Sequence, residues 1–145
     1  MAYKFLGSKN SLSTDNVIDV AKNIKLQDLD NPELRLESCG NLASKLAESH
    51  RIREELIFFQ RDFPKKKVGA VLDGRDIGSV IFPDAKIKLF VTAELEVRAK
   101  RRQKDYKKMG QEYSLIDLTE KLKERDKRDK NREVSPLICT PEAIV

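Results

Sequence analysis

Tryptophan is absent from this chain. Histidine occurs once, and the 145 residues include only two cysteines, two methionines and six glycines. A single histidine, His50, has no second imidazole for a metal site or a proton relay, so it reads as a surface or helix-end residue. Cys39 and Cys139 are far apart and lack metal-type spacing. They read as two free, buried thiols of a cytosolic protein rather than as a disulfide. No apolar run approaches the roughly 18 residues of a membrane-spanning helix. The start, Met1-Ala-Tyr-Lys-Phe, lacks the basic stretch and long apolar core of a secretory signal. The expectation is a cytoplasmic protein without a membrane partner. There is no internal repeat, low-complexity tract or flexible linker, and the length suits one modest domain.

Charge is plentiful and unevenly placed. Charged residues make up 37% of the chain against 39% hydrophobic, and the net charge is +5. Arg98 to Lys108 holds seven basic residues and one acid; Lys121 to Glu133 holds seven basic residues and four acids. Such clustering favours polyanionic partners, nucleotides or nucleic acid, although solvated helix faces produce the same pattern. Apart from Tyr106, no aromatic residue interleaves the basic runs as base-stacking readers require, which disfavours nucleic acid.

Periodicity predicts a helix from about Asp15 to Asn23, capped by Ser13 or Thr14, with Val17, Ile18, Ala21 and Ile24 inward. Asn31-Pro32 marks a turn, and Leu34-Arg35-Leu36 alternates like a short edge strand. A long helix is expected from about Asn41 to Phe63, striped by Leu42, Leu46, Ile52, Leu56 and Phe59 and ended by Pro64. Val68 to Leu72 and Ile87 to Val91 read as buried strands, with a turn at Phe82-Pro83-Asp84 between them. A helix follows from Glu94 to about Lys107, stopped at Met109-Gly110. Ser114 caps another running to about Arg132, with Leu115, Leu118 and Leu122 inward. Ala143-Ile144-Val145 looks like a third strand. Strands alternating with helices imply an α/β fold with a mainly parallel sheet covered on both faces. Three strands are few for such a sheet.

Two constellations carry chemistry. In Asp73-Gly74-Arg75-Asp76, at the expected end of a strand, Arg75 can grip a phosphate with its planar fork while Asp76 accepts from an exocyclic amine. A turn whose aspartate caps the next element fits the same four residues. In Glu124-Arg-Asp-Lys-Arg-Asp-Lys-Asn-Arg132, the spacing puts Arg125, Arg128 or Asp129, and Arg132 on one helical face. A surface helix laced with ion pairs is the alternative. Ser44 and Arg53, nine residues apart, share a face only if their helix bends or breaks, for which His50 and its neighbours are the candidate place.

From Asn41 to Val145 these pieces, in this order and spacing, resemble the bacterial cytidylate kinases. The resemblance rests on Asn41-Leu-Ala-Ser44-Lys-Leu, Arg51-Ile-Arg53-Glu-Glu-Leu, Leu72-Asp-Gly-Arg-Asp-Ile-Gly78 and Phe82-Pro-Asp-Ala85. Arg98-Ala-Lys-Arg-Arg102, the run Glu124 to Arg132 and Pro136-Leu complete it, and Tyr3 to Ile24 is similar more loosely. The resemblance implies a P-loop nucleoside-monophosphate-kinase fold and phosphoryl transfer from ATP, with Mg2+, to CMP or dCMP. It implies that Ser44, Arg53 and Asp76 read cytosine and that Arg75 and Arg132 hold the attacked phosphate. Arg125 and Asp129 would contact sugar hydroxyl and phosphate. Tyr3 and Lys4 would lie near the same phosphate, with lysine in the place of a forked arginine. Residues of about 25–66 would form the acceptor-binding region and 101–115 a mobile lid, where Arg101 and Arg102 would meet the donor.

The family's phosphate-cradling loop, G-x-x-x-x-G-K-S/T, is opened by none of Gly7, Gly40, Gly69, Gly74, Gly78 or Gly110. The resemblance implies that the chain starts just after the family's first strand, that loop and its helix, and stops before the final helix. The expectation is an incomplete sheet with unpaired edges, marginal stability and little activity from these residues alone. The loop would come from a separate N-terminal fragment, or the chain would be a non-catalytic nucleotide- or RNA-binding module or a remnant completed by a partner.

Overall fold

The computed structural model describes residues 14–66 and 69–145. The expected cap Ser13 and the site candidates Tyr3 and Lys4 lie outside them. Five α-helices carry the described part: α1 (Thr14–Lys22), α2 (Glu37–Leu46), α3 (His50–Asp62), α4 (Leu95–Lys108) and α5 (Leu115–Asn131).

Helix α1 follows the expected periodicity. Val17, Ile18 and Ala21 are buried, and Val17 and Ile18 pack with Ile52 of α3, flanked by Leu46 and Leu56. That small cluster joins the first three helices. His50 opens α3, exposed, with Nδ1 3.3 Å from Glu54 one turn on. Cys39 is free and buried as expected; Cys139 is free but exposed, so only half of the thiol expectation holds.

The long helix expected over 41–63 is instead two. α2 ends at Leu46, residues 47–49 turn, and Ser49 in an extended conformation precedes α3. No proline or glycine marks this break, so an unbroken apolar stripe concealed it. α2 also begins earlier than expected, at Glu37. The alternation at Leu34 to Leu36 is not an edge strand: Pro32–Arg35 is a 3-10 turn, with Asn31 Oδ1 accepting from the Glu33 amide at 2.8 Å. A proline at the first position suits a helical turn better than a strand.

Helices α4 and α5 form an antiparallel hairpin. Gly110 (φ 73°) ends α4 in the left-handed conformation, and the amides of Gly110 and Gln111 bond back to the carbonyls of Lys107 and Tyr106 at 3.1 and 2.9 Å. Ser114 caps α5 as the sequence predicts, accepting from the amides of Ile116 and Asp117. Tyr106 is buried, its ring 4.8 Å from that of Tyr113, and Ala99 of α4 and Leu118 and Leu122 of α5 are buried too. Gln103 Nε2 donates to the Tyr113 carbonyl at 2.9 Å. The stretch expected to be a lid therefore comprises the end of α4 and this packed turn.

No strand ladder forms among the described residues. Leu89 and Ile144 make an isolated parallel bridge, in which the Phe90 amide donates to Ile144 and the Ile144 amide to Lys88, at 2.8 and 2.9 Å. That pairing has the parallel sense expected of Ile87 to Val91 and Ala143 to Val145. The expected first strand pairs with no described residue over 69–72, and its first residue, Val68, lies outside the described residues. The physical reason is that a strand exists only through its neighbours, and among the described residues these segments have almost none. They are not buried either: Val71 is 97% and Val91 90% exposed. After Asp76 the chain forms a single π turn, Ile77–Ile81, whose outer carbonyls at Val80 and Ile81 accept from the Arg61 guanidinium of α3.

Candidate functional site

The inward stripe of α5 changes character part-way along. Leu118 and Leu122 are buried against α4, and the same face continues as Arg125, Asp129 and Arg132. The spacing of four, three, four and three keeps these five residues in one row. Arginine and aspartate thus occupy positions where periodicity alone asks for leucine, so something other than solvation holds them.

Asp129 is the hub. It is 1% exposed. Ser44 Oγ, buried on α2, donates to its Oδ1 at 2.8 Å. Arg75 Nε lies 3.2 Å from its Oδ2, Arg125 Nε 3.8 Å from the same oxygen, and Arg132 3.9 Å from Oδ1. Three guanidiniums therefore surround one carboxylate. Their geometry leaves Asp129 Oδ2, Arg125 Nε and one Arg132 terminal nitrogen buried without a hydrogen bond. Buried polar atoms left so are rare in folded proteins and mark a place where a further partner fits.

Beside the hub stands a second pair. Arg53, on α3, forms an ion pair with the buried Asp76 carboxylate. Arg132 senses both members: burial lowers the affinity of its guanidinium for its proton, the nearby Arg53 lowers it further, and Asp129 and Asp76 oppose the change. Arg125 is also shifted down, by burial first and then by Arg75, with Asp129 opposing and Arg102 adding to the shift. Guanidiniums that disfavour each other's charge in a partly dry place leave a field suited to an anion.

The break between α2 and α3 decides how Ser44 and Arg53 are used. It lets them serve neighbouring clusters, Ser44 on Asp129 and Arg53 on Asp76, which a single straight helix does not arrange. α2 and α5 meet residue by residue, both running the same way: Glu37 with Lys121 (3.4 Å), Asn41 Oδ1 accepting from Arg128 (3.0 Å), Ser44 with Asp129. Between the first two contacts lies Gly40, where a Cβ would stand 2.9 Å from an Arg125 terminal nitrogen and 3.6 Å from one of Arg102.

Of the residues singled out in the sequence, the structure brings Ser44, Arg53, Arg75, Asp76, Arg125, Asp129 and Arg132 into one region. Arg102 joins them from α4, its Nε donating to the Tyr106 hydroxyl at 3.2 Å. Arg101 does not; it is exposed on the outer side of α4. The sequence reading missed Asn41, the partner of Arg128, and the Arg98–Asp126 ion pair at 2.7 Å that ties α4 to α5. Contacts spanning 87 residues, as Asn41 to Arg128 does, leave no local signal.

A family model described as cytidylate kinase matches residues 7–145. The chain belongs to the cytidylate kinase family. It is 50% identical over 109 residues to a cytidylate kinase of Methylococcus capsulatus, covering 75% of this chain and 49% of that one. A cytidylate kinase of Cereibacter sphaeroides is 41% identical over all 145 residues, which cover 70% of its length. One of Nitrosomonas europaea is 50% identical over 105 residues, 72% of this chain and 47% of that protein. The match thus spans about half the length of two of these three relatives. Family membership implies a P-loop nucleoside-monophosphate-kinase fold, of which the described residues show the helices and one parallel bridge.

Among the described residues no three or more His, Cys, Asp or Glu side chains converge on a point where they could hold a metal ion. Magnesium travels with ATP on the nucleotide phosphates, water and one or two protein oxygens rather than in an all-protein cluster, and no step is assigned to it. No described helix is long and apolar enough to cross a membrane.

Proposed function

We propose that these residues form the acceptor side of a kinase that transfers the γ-phosphoryl group of ATP to CMP or dCMP. The observation that carries this reading is the convergence of Arg75, Arg125 and Arg132 on the single buried carboxylate of Asp129. One negative charge against three positive ones leaves a surplus that matches a phosphate dianion. Planar forks with unused N–H groups supply the hydrogen bonds.

In this reading the acceptor phosphate sits on Arg75, Arg132 and Arg125, while Asp129 accepts from the sugar hydroxyl. Arg53 and Asp76 open from each other to take the base: Asp76 accepts from the exocyclic amine of cytosine, and Arg53 donates to the ring acceptors, with Ser44 alongside. Uracil presents an oxygen where that amine stands, so it meets Asp76 as acceptor against acceptor. An oxygen of the CMP phosphate attacks the γ-phosphorus of ATP, the bond to the β-phosphate oxygen breaks, and ADP leaves. Such transfer depends on positioning and charge stabilisation, which arginines supply. Residues 101–115 with Arg101 and Arg102 are proposed as the segment that meets the donor.

The sequence has no G-x-x-x-x-G-K-S/T. The reading therefore assigns the donor triphosphate to a loop from other residues, in a longer chain or a separate one. The test is CMP-dependent ADP formation from Mg-ATP, with UMP as the competing acceptor. The 145 residues alone are expected to give no turnover, and addition of a chain bearing the loop is expected to restore a rate that prefers CMP. A rate from the 145 residues alone, lost in Asp76→Ala, overturns the assignment of the donor. Equal use of UMP overturns the assignment of Arg53 and Asp76.

A further inference from the structure

Gly40 is the fourth residue of α2, where alanine makes a more stable helix. Its backbone takes part in an ordinary helical bond, the amide donating to Leu36 at 3.1 Å. No positive φ calls for glycine there. What does call for it is the opposing side chain. An Arg125 terminal nitrogen fills the space 2.9 Å from where a Cβ would be, and an Arg102 terminal nitrogen lies 3.6 Å from the same point. The flanking positions of α2 meet α5 through side chains, Glu37 on Lys121 and Asn41 on Arg128, so Gly40 is a gap in an otherwise filled row.

We propose that Gly40 is a positioning residue: its missing side chain is the seat on which the Arg125 guanidinium lies, and that seat holds it at Asp129 within reach of the acceptor phosphate. This rests on the proposed function for what the arginine does, but not for where it is held. Arg125 needs such a seat. Arg75 and Arg102 repel it, and Asp129 attracts it only from 3.8 Å without a hydrogen bond. A methyl group at position 40 pushes aside the end of a flexible side chain, which the fold tolerates, and moves the guanidinium away from its phosphate-facing place.

The experiment compares Gly40→Ala with the unaltered chain by two readouts. The first is modification of Arg125 by phenylglyoxal, followed by peptide mass spectrometry, with no nucleotide present. A displaced Arg125 reacts faster, while Arg101, already exposed, keeps its rate. An unchanged rate at Arg125 overturns the proposal whether or not the chain binds CMP. The second is the affinity for CMP against cytidine: CMP is expected to weaken about tenfold or more, as on loss of one charge-assisted hydrogen bond, and cytidine not at all. Equal weakening of both overturns the proposal, because a general disturbance of α2 does that. Failure of the unaltered chain to bind CMP counts against the proposed function alone, since the modification rate still decides the seat. Thermal unfolding completes the cycle with Arg125→Ala. Gly40→Ala is expected to raise the midpoint more in that background, where nothing occupies the seat, than in the unaltered chain. Should Gly40→Ala alone fail to fold, recovery of the fold by Arg125→Ala supports the seat, and failure of both overturns it.

Discussion

Ser44 Oγ donates a 2.8 Å hydrogen bond to Asp129 across 85 residues of sequence, and both side chains are buried. This contact fixes α2 against α5 and holds the carboxylate around which the arginines gather. Ser44→Ala removes a donor from a buried carboxylate, with an expected loss of about 1–3 kcal/mol in stability. Asp129→Ala does more, because it leaves Arg75, Arg125 and Arg132 without the charge between them; the expected loss is about 3–5 kcal/mol. Urea unfolding of the two variants measures both. Equal or negligible losses contradict the role of Asp129 as the hub.

A site with surplus positive charge is stabilised by what fills it. Inorganic phosphate and CMP are expected to raise the melting temperature with concentration, and sodium chloride of the same ionic strength far less. A ligand present at 100 times its dissociation constant adds about 2.7 kcal/mol to stability. Thermal unfolding against each anion checks this, and chloride as effective as phosphate shows screening rather than a site.

The Arg53–Asp76 pair carries base discrimination in this account. Asp76→Ala is expected to reduce the preference for CMP over UMP by about 1.5–3 kcal/mol, the worth of a hydrogen bond to a charged group. CMP and UMP titrations on both proteins provide the numbers. A preference that survives the substitution places cytosine recognition elsewhere.

Exposed apolar edges have a cost of another kind. Val71 and Val91 stand almost wholly in solvent, on extended segments without ladder partners among the described residues. Such edges favour pairing with other chains. Val71→Lys with Val91→Thr is expected to lower concentration-dependent light scattering while changing unfolding stability by less than about 0.5 kcal/mol. Unchanged scattering shows that self-association does not run through these segments.

Helices and their ends were legible in the sequence because their causes are local. Ser114 with its two amides, Gly110 after α4 and the inward stripe of α1 each depend on neighbours a few residues away. The row through Arg125 and Arg132 was legible for the same reason, with Arg128 or Asp129 left open between them. The break at 47–49 was legible only as a condition: the nine-residue offset of Ser44 and Arg53 called for an irregularity near His50, but Ala47, Glu48 and Ser49 all tolerate helix, so the periodicity ran on through it. The strands failed for the opposite reason: their apolar runs are plain, but pairing depends on other segments. The importance of Gly40 was invisible, because its partner Arg125 lies far along the chain.

The measurement that bears most directly on the central claim is isothermal titration of the 145-residue chain with CMP and with cytidine, repeated on Arg132→Ala. The account predicts that CMP binds, that cytidine binds far more weakly, and that Arg132→Ala brings CMP down to the level of cytidine. Equal binding of CMP and cytidine, or CMP binding unaffected by Arg132→Ala, contradicts the assignment of the arginines around Asp129 to the acceptor phosphate.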